Sequence, residues 1–250
     1  MIIRAHIPAR DGSMRVPNKN LKDFCGKPLI AWSILKCLAA DVYDGVYVIT
    51  DSKRIAKVAK EYGAEVIMQP PWQCQFGERG GSIAEAWFFY QLKKAGIPMD
   101  ADSGFLCTTP LRKVNDYRRL VGKKLEVPQA QEIALSSRIV SLQLHEDNGD
   151  GTSRMILFDN TGKYMIPWAG SIHDVDYYVN NFCGGWHDIE RFFETKDVQY
   201  MPKPVRPEDY PNKHIYYVEI EPWQWYDIDR LVDWEICEFW FKYKGLDKEV

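Results

Sequence analysis

The residues best equipped for chemistry stand in two places, far apart along the chain. Near the N-terminus, an apolar run around Ile2, Ile3, Ala5 and Ile7 opens into Pro8-Ala9-Arg10-Asp11-Gly12-Ser13-Met14-Arg15-Val16-Pro17-Asn18-Lys19-Asn20-Leu21. A buried strand that opens into a loop rich in Arg, Lys and Asn is an anion site. Its backbone N–H groups and cationic side chains can converge on a polyphosphate. Arg10 and Lys19 are the expected phosphate contacts, with Arg15 beside them. Gly12 and Ser13 let the backbone approach closely, and Asn20 anchors either the loop or the ligand. Near the C-terminus stands Tyr226-Asp227-Ile228-Asp229, followed by Asp233-Trp234-Glu235. Residues two apart in extended backbone share a face. Asp227 and Asp229 can therefore offer two carboxylates to one hard cation, for which oxygen ligands suit Mg2+. Asp233 reads as a first-turn helix residue favoured by the dipole. Asp100-Ala101-Asp102 and Asp174-Val175-Asp176 share the spacing and read as surface charge or helix caps.

Other chemistries find less support. The six cysteines show no C-x-x-C spacing, which argues against structural zinc and suits free thiols in a reducing cytoplasm. The five histidines form no H-x-x-x-H or H-E-x-x-H pattern and read as structural or exposed. Cys107 has no neighbouring His to activate it as a nucleophile. A formal net charge of −3 argues against nucleic acid as the main partner. No secretory signal and no membrane-length apolar stretch is visible.

The elements that must position these groups follow from the pattern. With 250 residues, 46% of them hydrophobic and 27% charged, the chain suits one α/β domain with a sizeable core. Short apolar runs alternating with helical periodicity predict βαβ units and a mostly parallel sheet. Strands are expected at Ile2–Ile7, Val46–Ile49, Glu65–Met68 and Phe105–Cys107. Helices are expected at Pro28–Ala40, Lys53–Tyr62, Ser82–Ala95 and Val114–Leu125, with Ser82 and Glu85 as a capping box. Thr50-Asp51-Ser52 reads as a strand end with ordinary helix-capping residues. Further on, Arg154–Phe158 and Lys163–Ile166 around Asp159-Asn160-Thr161-Gly162 predict a hairpin. A β-rich insert is expected over about 138–195. Gln199–Met201 and Tyr216–Ile220 read as strands, and Arg230–Tyr243 as the closing helix.

The N-terminal residues, with Gly26-Lys27-Pro28-Leu29 after them, resemble the acylneuraminate cytidylyltransferase signature, roughly A-R-x-G-S-K-x-x-P-x-K-N followed by G-x-P-L. The I/Y-D-I-D segment resembles that family's C-terminal metal motif, and Thr50-Asp51-Ser52 its T-D-S. Leu106 to Arg112 looks like its L-Q-P-T-S-P-L-R loop, and Tyr178 to Trp186 loosely like its N-G-x-x-Y segment. The chain departs from the pattern at Met14 for Lys, Gln69 for Arg and Leu106 for Gln. It also shows no counterpart of the family's sugar-carboxylate arginine.

The resemblance implies a Rossmann-like nucleotide-diphospho-sugar transferase fold with a β-rich insert for dimerisation. It implies transfer of CMP from CTP to an acid sugar of the nonulosonate type, with release of pyrophosphate, by a cytoplasmic homodimer. It assigns Ala9, Arg10, Gly12, Ser13, Arg15, Lys19, Asn20 and Ser82 to the nucleotide, and Thr108, Thr109, Arg112 and Asn181 to the acceptor. Asp227 and Asp229 would hold Mg2+, with Arg10, Lys19 and Asp229 as the catalytic set. Two alternatives stand beside this reading: a related nucleotidyltransferase acting on a phosphonate or other phosphorylated metabolite, and a non-catalytic nucleotide-binding homologue.

Overall fold

The computed structural model describes the backbone except for residues 14, 77–79, 139–141, 148–152, 160–163, 166–170 and 203–214. Side chains are likewise described except for those and 80, 132, 136–138, 142–147, 153–159, 164–165, 171, 181–182, 215–217 and 225. Met14 and Glu78 lie outside the described residues.

In β1 (Ile3–Pro8), Ile3, Ala5 and Ile7 are buried on one face, while Arg4 and His6 point to the other. A small hairpin of β2 (Asp23–Phe24) and β3 (Lys27–Pro28) leads into α1 (Leu29–Ala40). Next come β4 (Val46–Thr50), α2 (Lys53–Glu61) and β5 (Glu65–Met68). The core then takes α3 (Gly80–Lys94), β6 (Ala101–Gly104) and α4 (Val114–Glu126). The second half holds β7 (Glu132–Arg138), β8 (Leu142–Asp147), β9 (Ser153–Asp159), β10 (Tyr164–Met165) and β11 (Ser171–Asp174). It closes with α5 (Val175–Phe182), α6 (Trp186–Thr195), β12 (Ile215–Glu219) and α7 (Leu231–Tyr243).

The central sheet runs β10-β7-β11-β6-β1-β4-β5, with β12 also beside β7. β6, β1, β4 and β5 are mutually parallel, as is β12 with β7. β11 runs antiparallel to β6 and β7, and β10 antiparallel to β7. One apolar core joins the sheet to α1, α2 and α4, and the other joins it to α3, α5 and α6. The result is a three-layer α/β domain with a mostly parallel sheet, the class that the alternating pattern predicts. A third cluster of Phe24, Trp32, Trp234 and Phe241 seats α7 against the β2–β3 hairpin and α1. Its ring pairs lie 4.6–5.3 Å apart at steep angles. This packing brings the C-terminal aspartates to the N-terminal loop.

Several elements differ from the sequence expectation. The strand expected at Phe105–Cys107 lies at Ala101–Gly104, where polar Asp102 and Ser103 are fully buried. The expected hairpin does not form: β9 pairs with β8, and Tyr164 and Met165 pair with Arg138 and Ser137 of β7. Gln199–Met201 is no strand. Asp197 accepts the N–H of Gln199 and starts a 3-10 turn over Val198–Tyr200. The helix expected from Ser82 begins at Gly80, so Ser82 sits inside its first turn and forms no capping box. Residues 175–182 and 186–195 of the expected β-rich insert are helical, with Asp174 capping α5 by accepting from Tyr177 N at 2.9 Å.

Candidate active site

The loop after β1 lies at the carboxyl ends of the parallel strands, where open α/β sheets leave a crevice for ligands. It is tied down at many points. The N–H of Ala9 is spent on Ile49 O at 2.8 Å, so Ala9 extends the sheet. Asp11 donates its N–H to Asp51 Oδ1 at 3.0 Å, while its carboxylate accepts from Arg54 at 3.1 Å and Ser52 at 3.0 Å. Arg54, then Ser52 and the Gly12 N–H, hold the Asp11 carboxyl below its usual range. Arg54 also donates to Asn18 Oδ1 at 2.9 Å, fixing a residue whose φ is +52°. The Asn20 amide donates to Arg10 O at 3.0 Å and accepts from the Cys107 thiol at 3.0 Å. Its side chain braces the loop. Gly12 takes φ +84° at the turn, with open space where a side chain would start. Arg10, Gly12, Ser13 and Lys19 line a shallow hollow there. The Arg10 side chain is exposed, and its charge works against the rise that burial imposes on the Cys74 thiol.

Across this loop come the aspartates. Ile228 is fully buried between them and donates its N–H to Thr108 O at 2.8 Å. Lys19 Nζ donates to Ile228 O and sits 3.8 Å from Asp229 Oδ1. Arg15 donates to Asp229 Oδ2 at 2.9 Å. That pair is 69% and 59% exposed, so it contributes little stability and serves mainly to place charge. Burial pushes the Asp227 carboxyl up and Asp229 adds to the rise, against the Thr108 hydroxyl and Lys19, which pull it down. Asp233 accepts from Asp229 N at 3.1 Å and Arg230 N at 2.7 Å, capping α7.

The acceptor expectations fare unevenly. Thr108 meets Asp227. Thr109 is buried, and its hydroxyl donates to Leu106 O at 2.9 Å. Arg112 is 1% exposed and donates to Gln224 O. Thr109 and Arg112 thus face inward and brace the loop. Burial pulls the Arg112 guanidinium down to about 10. Ser82 is half-buried inside α3, and the Asn181 side chain lies outside the described residues. Sequence reasoning missed Asp11, Asn18 and Arg54, whose partners are remote in sequence. It also missed Lys36, fully buried with its ammonium donating to Pro110 O at 2.8 Å and Arg112 O at 2.7 Å.

Beneath α3, on the face of the sheet away from Ile3 and Ile7, lies a second polar group. His6 Nδ1 stands 3.3 Å from Asp102 Oδ2. His173 Nδ1 stands 3.2 Å from Glu85 Oε1 and 3.7 Å from Asp102 Oδ1. Burial works to raise the Asp102 carboxyl, but the two imidazoles reverse this and hold it at about 2. Asp102 is therefore neither surface charge nor a cap, and neither histidine stands apart from charged neighbours.

The fold is a three-layer α/β arrangement with a cation-bearing loop at the ends of its parallel strands. Residues 5–126 match the family model described as cytidylyltransferase. It is 49% identical over 59 residues to a pseudaminic acid cytidylyltransferase of Campylobacter jejuni, covering 24% of this chain and 25% of that protein. It is 50% identical over 72 residues to a CMP-N,N'-diacetyllegionaminic acid synthase of Legionella pneumophila, covering 29% of each. The matched stretch thus spans about a quarter of the length of these relatives. The fold resembles that of a CMP:2-keto-3-deoxy-manno-octonic acid synthetase complexed with CTP. That match has a TM-score of 0.65 at 16% identity and covers 98% of this chain and 100% of the other. A 4-diphosphocytidyl-2C-methyl-D-erythritol synthase from Anaerococcus prevotii gives 0.60 at 10% identity, covering 96% of each chain. Among the described residues, no helix is long and apolar enough to cross a membrane.

Proposed function

We propose that the chain transfers CMP from CTP to the anomeric hydroxyl of a 2-keto-3-deoxy acid sugar of the nonulosonate type and releases pyrophosphate. The observation that carries this reading is Lys19, which joins the N-terminal loop to Ile228 and Asp229. A phosphate-binding cation and the carboxylate pair thereby share one place at the strand ends. The sugar class is supported by the names of the relatives over the matched stretch.

In this mechanism the acceptor oxygen attacks the α-phosphorus in line and forms the new P–O bond. The bond from the α-phosphorus to the bridging oxygen of pyrophosphate breaks, and the hydroxyl proton passes to solvent. Such transfer asks mainly for positioning and charge neutralisation. Arg10 and Lys19 stabilise the leaving pyrophosphate, and the braces on Asp11 and Asn20 keep their loop preorganised. Asp227 and Asp229 fit a hard dication: both offer oxygen donors, and they lie close enough for Asp229 to raise Asp227. Bound Mg2+ would neutralise charge on the phosphate oxygens. A homodimer formed through residues 138–195 belongs to the same reading, with light scattering expected to give twice 29.1 kDa. The six free thiols support a reducing, cytoplasmic setting.

The test is pyrophosphate release from each NTP with Mg2+ across sialic, legionaminic, pseudaminic and Kdo acids and a set of phosphonates. Turnover with CTP and an acid sugar is expected. Turnover with a phosphonate alone would move the acceptor class, and none with any pair would overturn the enzyme reading.

A further inference from the structure

The closing helix α7 is apolar on two opposite faces. Trp234, Cys237 and Phe241 are buried against the β2–β3 hairpin and α1. Val232, Ile236, Phe239 and Tyr243 follow one another at spacings of four, three and four. At about 100° per residue their directions fall within about 60° of one another, opposite the buried face. Val232 is 51% exposed, Phe239 59% and Tyr243 70%. Phe239 and Tyr243 stack, with ring centroids 5.7 Å apart and planes 8° apart. With Leu231 added, this one helix holds four of the nine large exposed apolar side chains among the described residues. Scattered singly, such side chains need no explanation, but gathered into one stripe they mark a contact surface. A helix apolar on both sides is normally covered on both.

The charges beside the stripe say what covers it. Glu235 and Lys242 lie along the same flank and both are exposed. Among the described residues, neither has an ion-pair partner within the chain. Apolar residues at spacings of four and three form the seam of a two-helix coiled coil, whose flanking charges set partner and orientation. Two copies of α7 related by a two-fold axis run antiparallel, so each contact occurs twice. Val232 of one copy then meets Tyr243 of the other, and Ile236 meets Phe239. The same axis brings Glu235 of each copy to Lys242 of the other. Parallel copies would instead set Glu235 against Trp240. Such exposed pairs fix direction and register more than strength. A lipid surface would ask for a cationic flank, whereas α7 carries Asp233, Glu235 and Glu238 against the single cation Lys242.

We propose that the outer face of α7 pairs with the same face of a second copy of this chain. The contact is antiparallel, seamed by Val232, Ile236, Phe239 and Tyr243 and keyed by Glu235 against Lys242. It is separate from the homodimer proposed through residues 138–195, and a chain using both forms assemblies larger than a dimer. Two helices about 20 Å long bury less than a standard interface, so the contact forms and parts with protein concentration. Because Asp233 in the first turn of α7 accepts from Asp229 N, pairing also steadies the frame beside the carboxylate pair.

Sedimentation velocity on the full-length protein, run over a range of concentrations, tests this. The wild type should show a concentration-dependent association step. Phe239→Glu should weaken that step at least tenfold and keep the wild-type circular dichroism, since the ring is exposed. Glu235→Lys and Lys242→Glu should each weaken it alone. An equimolar mixture of these two variants should restore it, because each flank then faces an opposite charge. A wild type that stays monomeric overturns the proposal, as does a step unchanged in Phe239→Glu. A mixture no better than either variant alone overturns the antiparallel register. Flotation with phosphatidylserine vesicles, lost in Phe239→Glu and seen without self-association, would give the stripe to a lipid surface instead. A dimer that persists in Phe239→Glu reports on residues 138–195, and the measurement needs neither CTP nor acceptor. Failure here is therefore distinguishable from failure of the proposed function.

Discussion

The molecule carries two acidic clusters that solve opposite problems. Asp227 and Asp229 sit at the strand ends, with Asp229 59% exposed beside the long cations Arg15 and Lys19. Asp102 and Glu85 sit under α3 beside two imidazoles, with Asp102 fully buried. Exposed carboxylates paired with flexible cations can exchange those partners for a substrate's metal and phosphates at small cost. Buried carboxylates cannot, because any vacated charge would be left in a low-dielectric interior. The first arrangement suits turnover and the second suits permanence.

That contrast can be broken by a pair of substitutions. Asp229→Asn should lower turnover by about 10²–10³-fold, the cost of removing a group that organises charge at the reacting phosphate. Its circular dichroism and unfolding midpoint should stay near wild type. Asp102→Asn should do the reverse: a loss of about 3–5 kcal/mol in denaturant unfolding, with little change in turnover per folded molecule. If Asp229→Asn instead unfolds the chain, or Asp102→Asn abolishes turnover of folded protein, the two clusters have been assigned the wrong way round.

Smaller effects sharpen the comparison. Arg10→Ala should weaken CTP binding by about 1.5–3 kcal/mol, read by calorimetry, through loss of a charge-assisted phosphate contact. Unchanged affinity would move the triphosphate away from this loop. Lys36 offers a pH test of the interior. Burial pulls its ammonium from 10.5 down to about 7. Between these values the unfolded chain binds more protons at this site than the folded one, so its contribution to stability grows with pH and is lost as pH falls through 7. The wild type should gain up to about 1 kcal/mol relative to Lys36→Met between pH 7 and 8, measured by urea unfolding. A pH-independent difference would show that the ammonium stays charged. Arg54→Ala should have the mildest outcome, a few-fold rise in KM for CTP, because its contacts with Asp11 and Asn18 are exposed.

The loop after β1 is legible because its signal is contiguous: strand, Gly turn and cations follow one another within twenty residues. The parallel half of the sheet is legible for the same reason, since each apolar run feeds its own helix. The buried polar cluster is not, because its four members come from four elements and Ala101-Asp102-Ser103-Gly104 carries no β pattern. Arg112 shows the same limit from another side. An arginine in a loop that resembles a sugar-binding loop reads as a substrate contact, yet its guanidinium turns inward to the backbone carbonyl of Gln224. Only the packing of α7 and its preceding turn against that loop decides between the two. The order of β7 to β12 is equally hidden, because short strands separated by loops can pair in several ways, and pairing within the sheet wins over the nearest hairpin.

Gly104 leaves a trace of its own. The missing side chain is the space that the His6 ring occupies, so the identities of residues 6 and 104 are coupled although ninety-eight positions separate them. In descendants of this sequence, a lineage that exchanges His6 for a smaller residue frees position 104 to become Ala or Ser. A lineage that keeps the imidazole can add a side chain there only if the ring gives way by a few tenths of an ångström. Position 104 thus records, from outside the cluster, whether its histidine is still in use.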